Sequence, residues 1–158
     1  VEDLRMAGCL HELGKIGISH EVLFKDGPLT VQEFGQIHHR AAIAGNVVRE
    51  IESLRHLEPA VRHQSERFDG TGYPGGLRGR DIPLAARILA VADAFDGLQG
   101  QRSYRKGLTP AAAYQSIRAN AGTQFDPEVV QALSEMVAEA YVSRLREVER
   151  RHGRCHVP

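Results

Sequence analysis

Apolar positions recur along the chain at helical spacing. Leu4, Ala7, Cys9, Leu10 and Leu13 predict a helix over about 2–12, closed by Gly14 and Gly17. A short helical turn is expected near Glu21 to Phe24, and Asp26-Gly27-Pro28 is a turn signal. Thr30 followed by Glu33 has capping-box spacing, and Phe34, Ile37, Ala41, Ala44, Val48 and Ile51 carry the helix it starts. Another helix is expected over about 57–66. The run from Asp69 to Gly76 is too rich in glycine for a regular element. After Pro83 an apolar helix is predicted from Leu84 to about Leu98. Thr109-Pro110 and Asp126-Pro127 each read as an N-cap followed by proline at the first helical position. The final helix carries Val129, Val130, Leu133, Val137, Ala140 and Tyr141; its end, 144–154, is densely charged and reads as a solvated tail. The apolar stripe of that helix fits either its own core or a partner helix. No segment alternates as a strand would, and no internal repeat is visible. The pattern predicts an all-α protein.

Composition narrows the class. With 158 residues, 42% hydrophobic and 25% charged, the chain suits one globular domain and excludes disorder and collagen. Lys+Arg and Asp+Glu both count 20, so no whole-protein basic field exists for holding nucleic acid or anionic lipid. Cys9 and Cys155 make no disulfide framework, which points to a reducing compartment. The apolar stretch from Leu84 to Phe95 is broken by Arg87 and Asp93, so membrane insertion is not expected. The chain opens at Val1 in what reads as mid-helix, which suggests a fragment truncated at its N-terminus.

A few residues could carry chemistry. His11-Glu12 can offer an imidazole and a carboxylate to one metal, although such a pair is also common at surfaces and caps. Lys15 lies three residues on, where its ammonium could reach an anion. Asp93 sits in an apolar helix, where an unpaired carboxylate is costly; it calls for a metal, or for a partner such as Arg87 or Arg102. In the loop DGTGYPGGLRG, Gly72 and Gly75-Gly76 permit positive φ and close backbone approach. The loop also reads as a plain tight connection.

The ordered set HELGKIGI (11–18), KDGPLT (25–30), ERFDGTGYPGGLRGRDIPLAARILAVADAFDGL (66–98), QRSYRK (101–106) and GTQFDPEVV (122–130) resembles the HD-GYP domain family over nearly the whole chain. The resemblance implies an all-α HD-superfamily fold, with an HD core over about 1–108 and a C-terminal helical extension over about 109–151. It implies bacterial, cytoplasmic signal transduction and metal-dependent phosphodiesterases that hydrolyse cyclic di-GMP to pGpG and GMP. Such sites hold two or three ions, commonly iron or manganese, which polarise the phosphate and generate a hydroxide. Upstream sensor domains and GGDEF domains are the partners it implies.

Carried over position by position, the resemblance places residual metal ligands at His11, Glu12 and Asp93, with Glu12 one methylene longer than the family's aspartate, and a catalytic lysine at Lys15. It assigns ligand histidines to the positions of Arg40, Gln64 and Ser65, so those three are lost. Asp69, Gly72, Tyr73 and Pro74 keep the family's loop, and Arg40 and Arg102 add positive charge for a ligand. His39 and His63 lie one residue from two lost positions, but one residue is about 100° of helical rotation. They are not expected to substitute without re-registering two helices. Arg40 either neutralises Glu12 and Asp93 or turns to solvent. No cofactor, or one iron or manganese ion, is expected rather than a di- or trinuclear site.

Three readings follow. The first is a degenerate regulatory module that binds cyclic di-GMP or partner proteins with little or no hydrolysis. The second is an active phosphodiesterase with an altered, mononuclear site. The third is a structural or homodimerisation domain.

Overall fold

A computed structural model describes residues 1–25, 27–100 and 107–152, of which 140–152 are described as backbone alone. Arg102, the motif at 101–106, the side chains of Ala140 and Tyr141 and the charged end of the last helix therefore lie outside the described residues. The described part is all-helical. Seven α-helices are present in it: α1 Glu2–Leu10, α2 His20–Leu23, α3 Val31–Glu50, α4 Glu58–Arg62, α5 Leu84–Gln99, α6 Pro110–Arg118 and α7 Pro127–His152. Short 3-10 turns fill Leu13–Gly17, Glu52–Leu57 and Gly79–Asp81. Among the described residues no helix is long and apolar enough to cross a membrane.

The helix starts follow from local chemistry. At α3, Thr30 Oγ1 accepts from the Glu33 amide at 3.3 Å, and the Glu33 carboxylate accepts from the Thr30 amide at 2.6 Å. Lys25 beside it, together with the Thr30 amide, holds the Glu33 carboxyl down at about 2. At α6, Thr109 caps the Ala112 amide with Pro110 in the first turn. At α7, Asp126 Oδ1 accepts from the Glu128 amide at 2.8 Å.

One predicted element differs. The helix expected over 57–66 is a 3-10 turn followed by a five-residue α4 that stops at Arg62. Beyond that end, Glu66, three residues past His63, turns inward and binds the glycine loop. Hydrophobic periodicity carries no record of that turn.

α5 explains the architecture. Its residues face two apolar clusters. Leu89 joins Ala7, Ala44, Val48 and Val61 from α1, α3 and α4. Val91, two residues on and so about 200° round the helix, joins Ile117, Phe125, Val130 and Leu133 of the α6–α7 side. α5 thus buries one apolar face in each cluster. In α7, Val130 and Leu133 are buried in the second cluster, and Val129 and Val137 pack against it. That part of the stripe therefore serves the protein's own core, and the partner-helix expectation does not hold for it.

Candidate functional site

The site lies where α1 crosses α5. Gly8 of α1 packs near Leu89 of α5, where a Cβ would make ordinary contact at 3.6 Å from the leucine side chain. One turn further along each helix stand His11 and Asp93. His11 Nδ1 donates to the Gly8 carbonyl at 2.5 Å. That leaves Nε2 facing Asp93 Oδ1 at 3.6 Å and Glu12 Oε1 at 3.7 Å. Asp93 raises the His11 pKa above the ordinary imidazole value against an opposing effect of burial. In return, His11 lowers that of Asp93.

Asp93 differs from what its apolar helix suggests. It is not buried, its side chain being 54% exposed. Its partner is not Arg87, which instead pairs with Asp126 at 2.5 Å and donates to the Ile82 carbonyl. The helix is apolar around Asp93, but at this point it faces a cleft.

Of the two orientations open to Arg40, the structure takes the inward one. Its NH1 donates to Glu12 Oε1 at 3.2 Å, and Lys15 contacts the other oxygen of the same carboxylate. Arg40 Nε is buried, with no acceptor among the described residues. The backbone brings Arg40 close. A Cβ on Gly14 would stand 1.8 Å from the Arg40 carbonyl oxygen, so only glycine lets the 3-10 turn lie against α3. Gly14→Ala is expected to force these elements apart and lower stability by about 1–3 kcal/mol, as overpacking does. Chemical denaturation measures it; an unchanged midpoint would show that the approach is not tight.

The other two positions to which the resemblance assigns ligand histidines are occupied by residues with structural contacts. Gln64 is 7% exposed, and its amide donates to the His11 carbonyl at 2.9 Å and to the Val61 carbonyl at 3.0 Å. Ser65 lines the cleft, and its carbonyl accepts from the Tyr73 amide at 3.3 Å. His39 is exposed with its ring on the Gly35 carbonyl, and His63 Nδ1 lies 3.1 Å from Glu66.

The glycine loop folds back over residues 65–69. Gly76 has φ +63°, as expected, but Gly72 and Gly75 do not use positive φ. Gly72 is required for close approach, since a Cβ there would stand 2.1 Å from the Arg67 amide nitrogen. Asp69 accepts from the Thr71 hydroxyl at 2.6 Å and its amide at 3.0 Å, and with Arg67 they hold its carboxyl down at about 2. Asp69 is thus engaged within the loop. Glu66 is the loop's anchor: its side chain is fully buried and accepts from the amides of Gly75 at 2.6 Å and Leu77 at 3.2 Å. Sequence reasoning passed over Glu66. A carboxylate just before a run of turns, whose amides need acceptors, was the available signal.

Beneath the loop is a cleft of about 770 Å³, well within the range of small-molecule sites. α3 supplies Phe34 and His38, the loop Tyr73, α5 Asp93, and the α6 end Asn120; Arg67 also reaches it. His38 and Tyr73 stack with centroids 4.0 Å apart and planes 17° from parallel, and Phe34 lies against His38 at 4.4 Å. The stacking role of His38 was not foreseen from sequence; its i, i+4 spacing from Phe34 was the clue. Of the loop residues expected to bind ligand, Tyr73 lines the cleft, while Asp69, Gly72 and Pro74 do not. Asp93 belongs both to the cleft and to the His11 cluster.

The group implied by the resemblance can be tested against these residues. His11 has the orientation of a ligand, with Nδ1 tied to a carbonyl and Nε2 free toward carboxylates. The rest does not suit a di- or trinuclear centre. Among the described residues His11 faces Asp93 and Glu12, but no three His, Cys, Asp or Glu side chains are grouped as metal ligands, and Glu12 is held by Arg40 and Lys15. Both Glu12 oxygens face cations of the chain itself. The orphaned Arg40 Nε is a donor, which a cation cannot satisfy. Two unit charges 4 Å apart repel by about 4 kcal/mol at an effective dielectric of 20, and a divalent ion doubles the effect.

Comparison with known proteins gives consistent results. The HD domain family's sequence pattern matches residues 1–129. A cyclic di-GMP phosphodiesterase of Thermotoga maritima is 35% identical over 99% of this chain and 44% of its own length. A cyclic di-GMP phosphodiesterase response regulator of Xanthomonas campestris is 42% identical over 84% of this chain and 36% of its own. The chain thus spans less than half the length of these relatives. The crystal structure of a cyclic GMP-AMP specific phosphodiesterase of Vibrio cholerae superposes with a TM-score of 0.65 at 22% identity, over 86% of this chain and 38% of that one, which shows a shared fold.

Proposed function

The chain belongs to the HD-domain family, in its HD-GYP group, and from that premise we propose that it is a regulatory module that binds a cyclic guanine dinucleotide with little or no hydrolysis. The observation that carries this reading is the Arg40 guanidinium on Glu12, with Lys15 on the same carboxylate. Two oxygens that would hold an ion are already neutralised by this chain's own cations. The cleft supports the binding half. Tyr73, with one face stacked on His38, would offer its other face to a purine, and such stacking is worth about 1–3 kcal/mol per base. Arg67 at the cleft, already bonded to Asp69 and Thr71, would have its remaining N–H groups for a phosphate oxygen. The implied setting is the bacterial cytoplasm. The implied source of the signal is an upstream sensor domain, and the implied partners are a GGDEF or other signalling domain or a second copy of the chain.

A second reading, an active phosphodiesterase, is favoured by the ligand-like orientation of His11 and by the activities that the relatives' names carry. In that reading His11, Glu12 and Asp93 would hold a single divalent ion, and Lys15 would lie beside the phosphate.

Calorimetric titration with cyclic di-GMP and with 3′3′-cGAMP, run beside chromatography of the products with manganese or iron present, separates the readings. Saturable binding without pGpG is expected, with Tyr73→Ala weakening it about ten-fold, the loss of one stacked base. Turnover that disappears in His11→Ala would establish the second reading. Absence of binding to either dinucleotide would leave the structural role.

A further inference from the structure

We infer that Arg40 and Gln64 form a resident polar lock on the His11–Glu12 segment, so that neither folding nor ligand binding in this chain depends on a divalent metal. The ligand-binding half rests on the function proposed above; the folding half does not.

Four elements meet at this segment. Arg40 reaches Glu12 from α3, and Lys15 reaches it from the 3-10 turn. Gln64, just past the end of α4, grips the His11 carbonyl, and Asp93 faces the His11 ring from α5. A metal cluster cross-links such elements through side-chain ligands. Here hydrogen bonds and ion pairs among the chain's own groups make the cross-links. Both amide hydrogens of buried Gln64 have acceptors, so that position is a completed structural bond and not merely an absent ligand. The Arg40 side chain is only 21% exposed and is held close by the Gly14 contact beneath its carbonyl. A cation fixed in the fold needs no exchangeable ion to balance Glu12.

The test is thermal denaturation of the whole chain, purified without chelator, in millimolar EDTA or manganese, together with elemental analysis. Wild type is expected to carry no stoichiometric metal and to melt at the same temperature in both, within about 1 °C. Arg40→Ala is expected to melt about 3–6 °C lower, the scale of losing a partly exposed pair in a chain of this size. Glu12→Gln should produce a similar drop, and the double variant less than the sum of the two. If Arg40→Ala does not fold, Glu12→Gln alone carries the comparison. The triple variant R40H/Q64H/S65H is expected to trade the lock for a melting temperature that rises with manganese. Wild type that contains metal, or gains more than about 3 °C from manganese through His11, would overturn the inference. So would Arg40→Ala or Glu12→Gln with an unchanged melting temperature. Dinucleotide affinity measured in the same two buffers is expected to agree within two-fold or so. Affinity that collapses in EDTA would overturn the binding half. No affinity in either buffer would refute the proposed function and leave the melting result to decide the lock.

Discussion

Asp126→Ala is expected to be the most destabilising single change in the helical extension, at about 3–5 kcal/mol, the cost of removing one partner of a buried ion pair. Asp126 is 3% exposed and Arg87 12%. One oxygen of Asp126 caps α7 through the Glu128 amide, and the other meets Arg87, which also holds the Ile82 carbonyl ahead of α5. Its loss would leave a guanidinium nearly buried without its counter-charge and α7 without its cap. The melting temperature should fall by roughly 10 °C. Asp126→Asn, which retains a cap acceptor but no charge, separates the two contributions. A change in stability below about 1 kcal/mol for the alanine variant would mean that the pair is solvated and the argument fails.

Glu66→Ala should have the second largest effect, and it should fall on the ligand. The carboxylate holds the Gly75 and Leu77 amides, and hydrogen bonds to a charged acceptor contribute about 1.5–3 kcal/mol each. A loss of about 3 kcal/mol is expected, with the loop released from residues 65–67. Because Tyr73 rides on that loop, dinucleotide affinity should fall at least as far as in Tyr73→Ala. Hydrogen exchange at the Gly75 and Leu77 amides reads the release directly. Unaltered protection in the variant would show that the Gly72 approach and the Tyr73–Ser65 bond hold the loop without Glu66.

Features that depend on neighbours in the chain are readable in the sequence. Thr30 with Glu33, Thr109 with Pro110 and Asp126 with Pro127 all start helices as their spacing indicated. Each device acts within one helical turn, so its whole cause is printed in adjacent residues. The apolar density of α5 likewise gave its burial on two sides. The ordered motifs carried the family, because each records a local backbone shape.

Partners distant in the chain were not readable. Arg87 and Asp93 stand six positions apart on one helix, about 240° round it, so helical geometry alone set them on different faces; that Arg87 would meet Asp126 was decided by the packing of α5 against the start of α7. Nothing decided whether Arg40 would turn out or in. A helical arginine can do either, and the close seat of Gly14 against α3 brought Glu12 and Lys15 to meet it. α4 stops at Arg62 and Glu66 turns inward to the loop, against a periodicity that ran on. By itself the sequence determined the helices, their starts, the all-α class and the family, because those depend on short-range sterics, capping and hydrophobic period. Only the tertiary structure decided which charges meet and which face the cleft, because Coulomb attraction and desolvation depend on distances in space that helix packing alone sets.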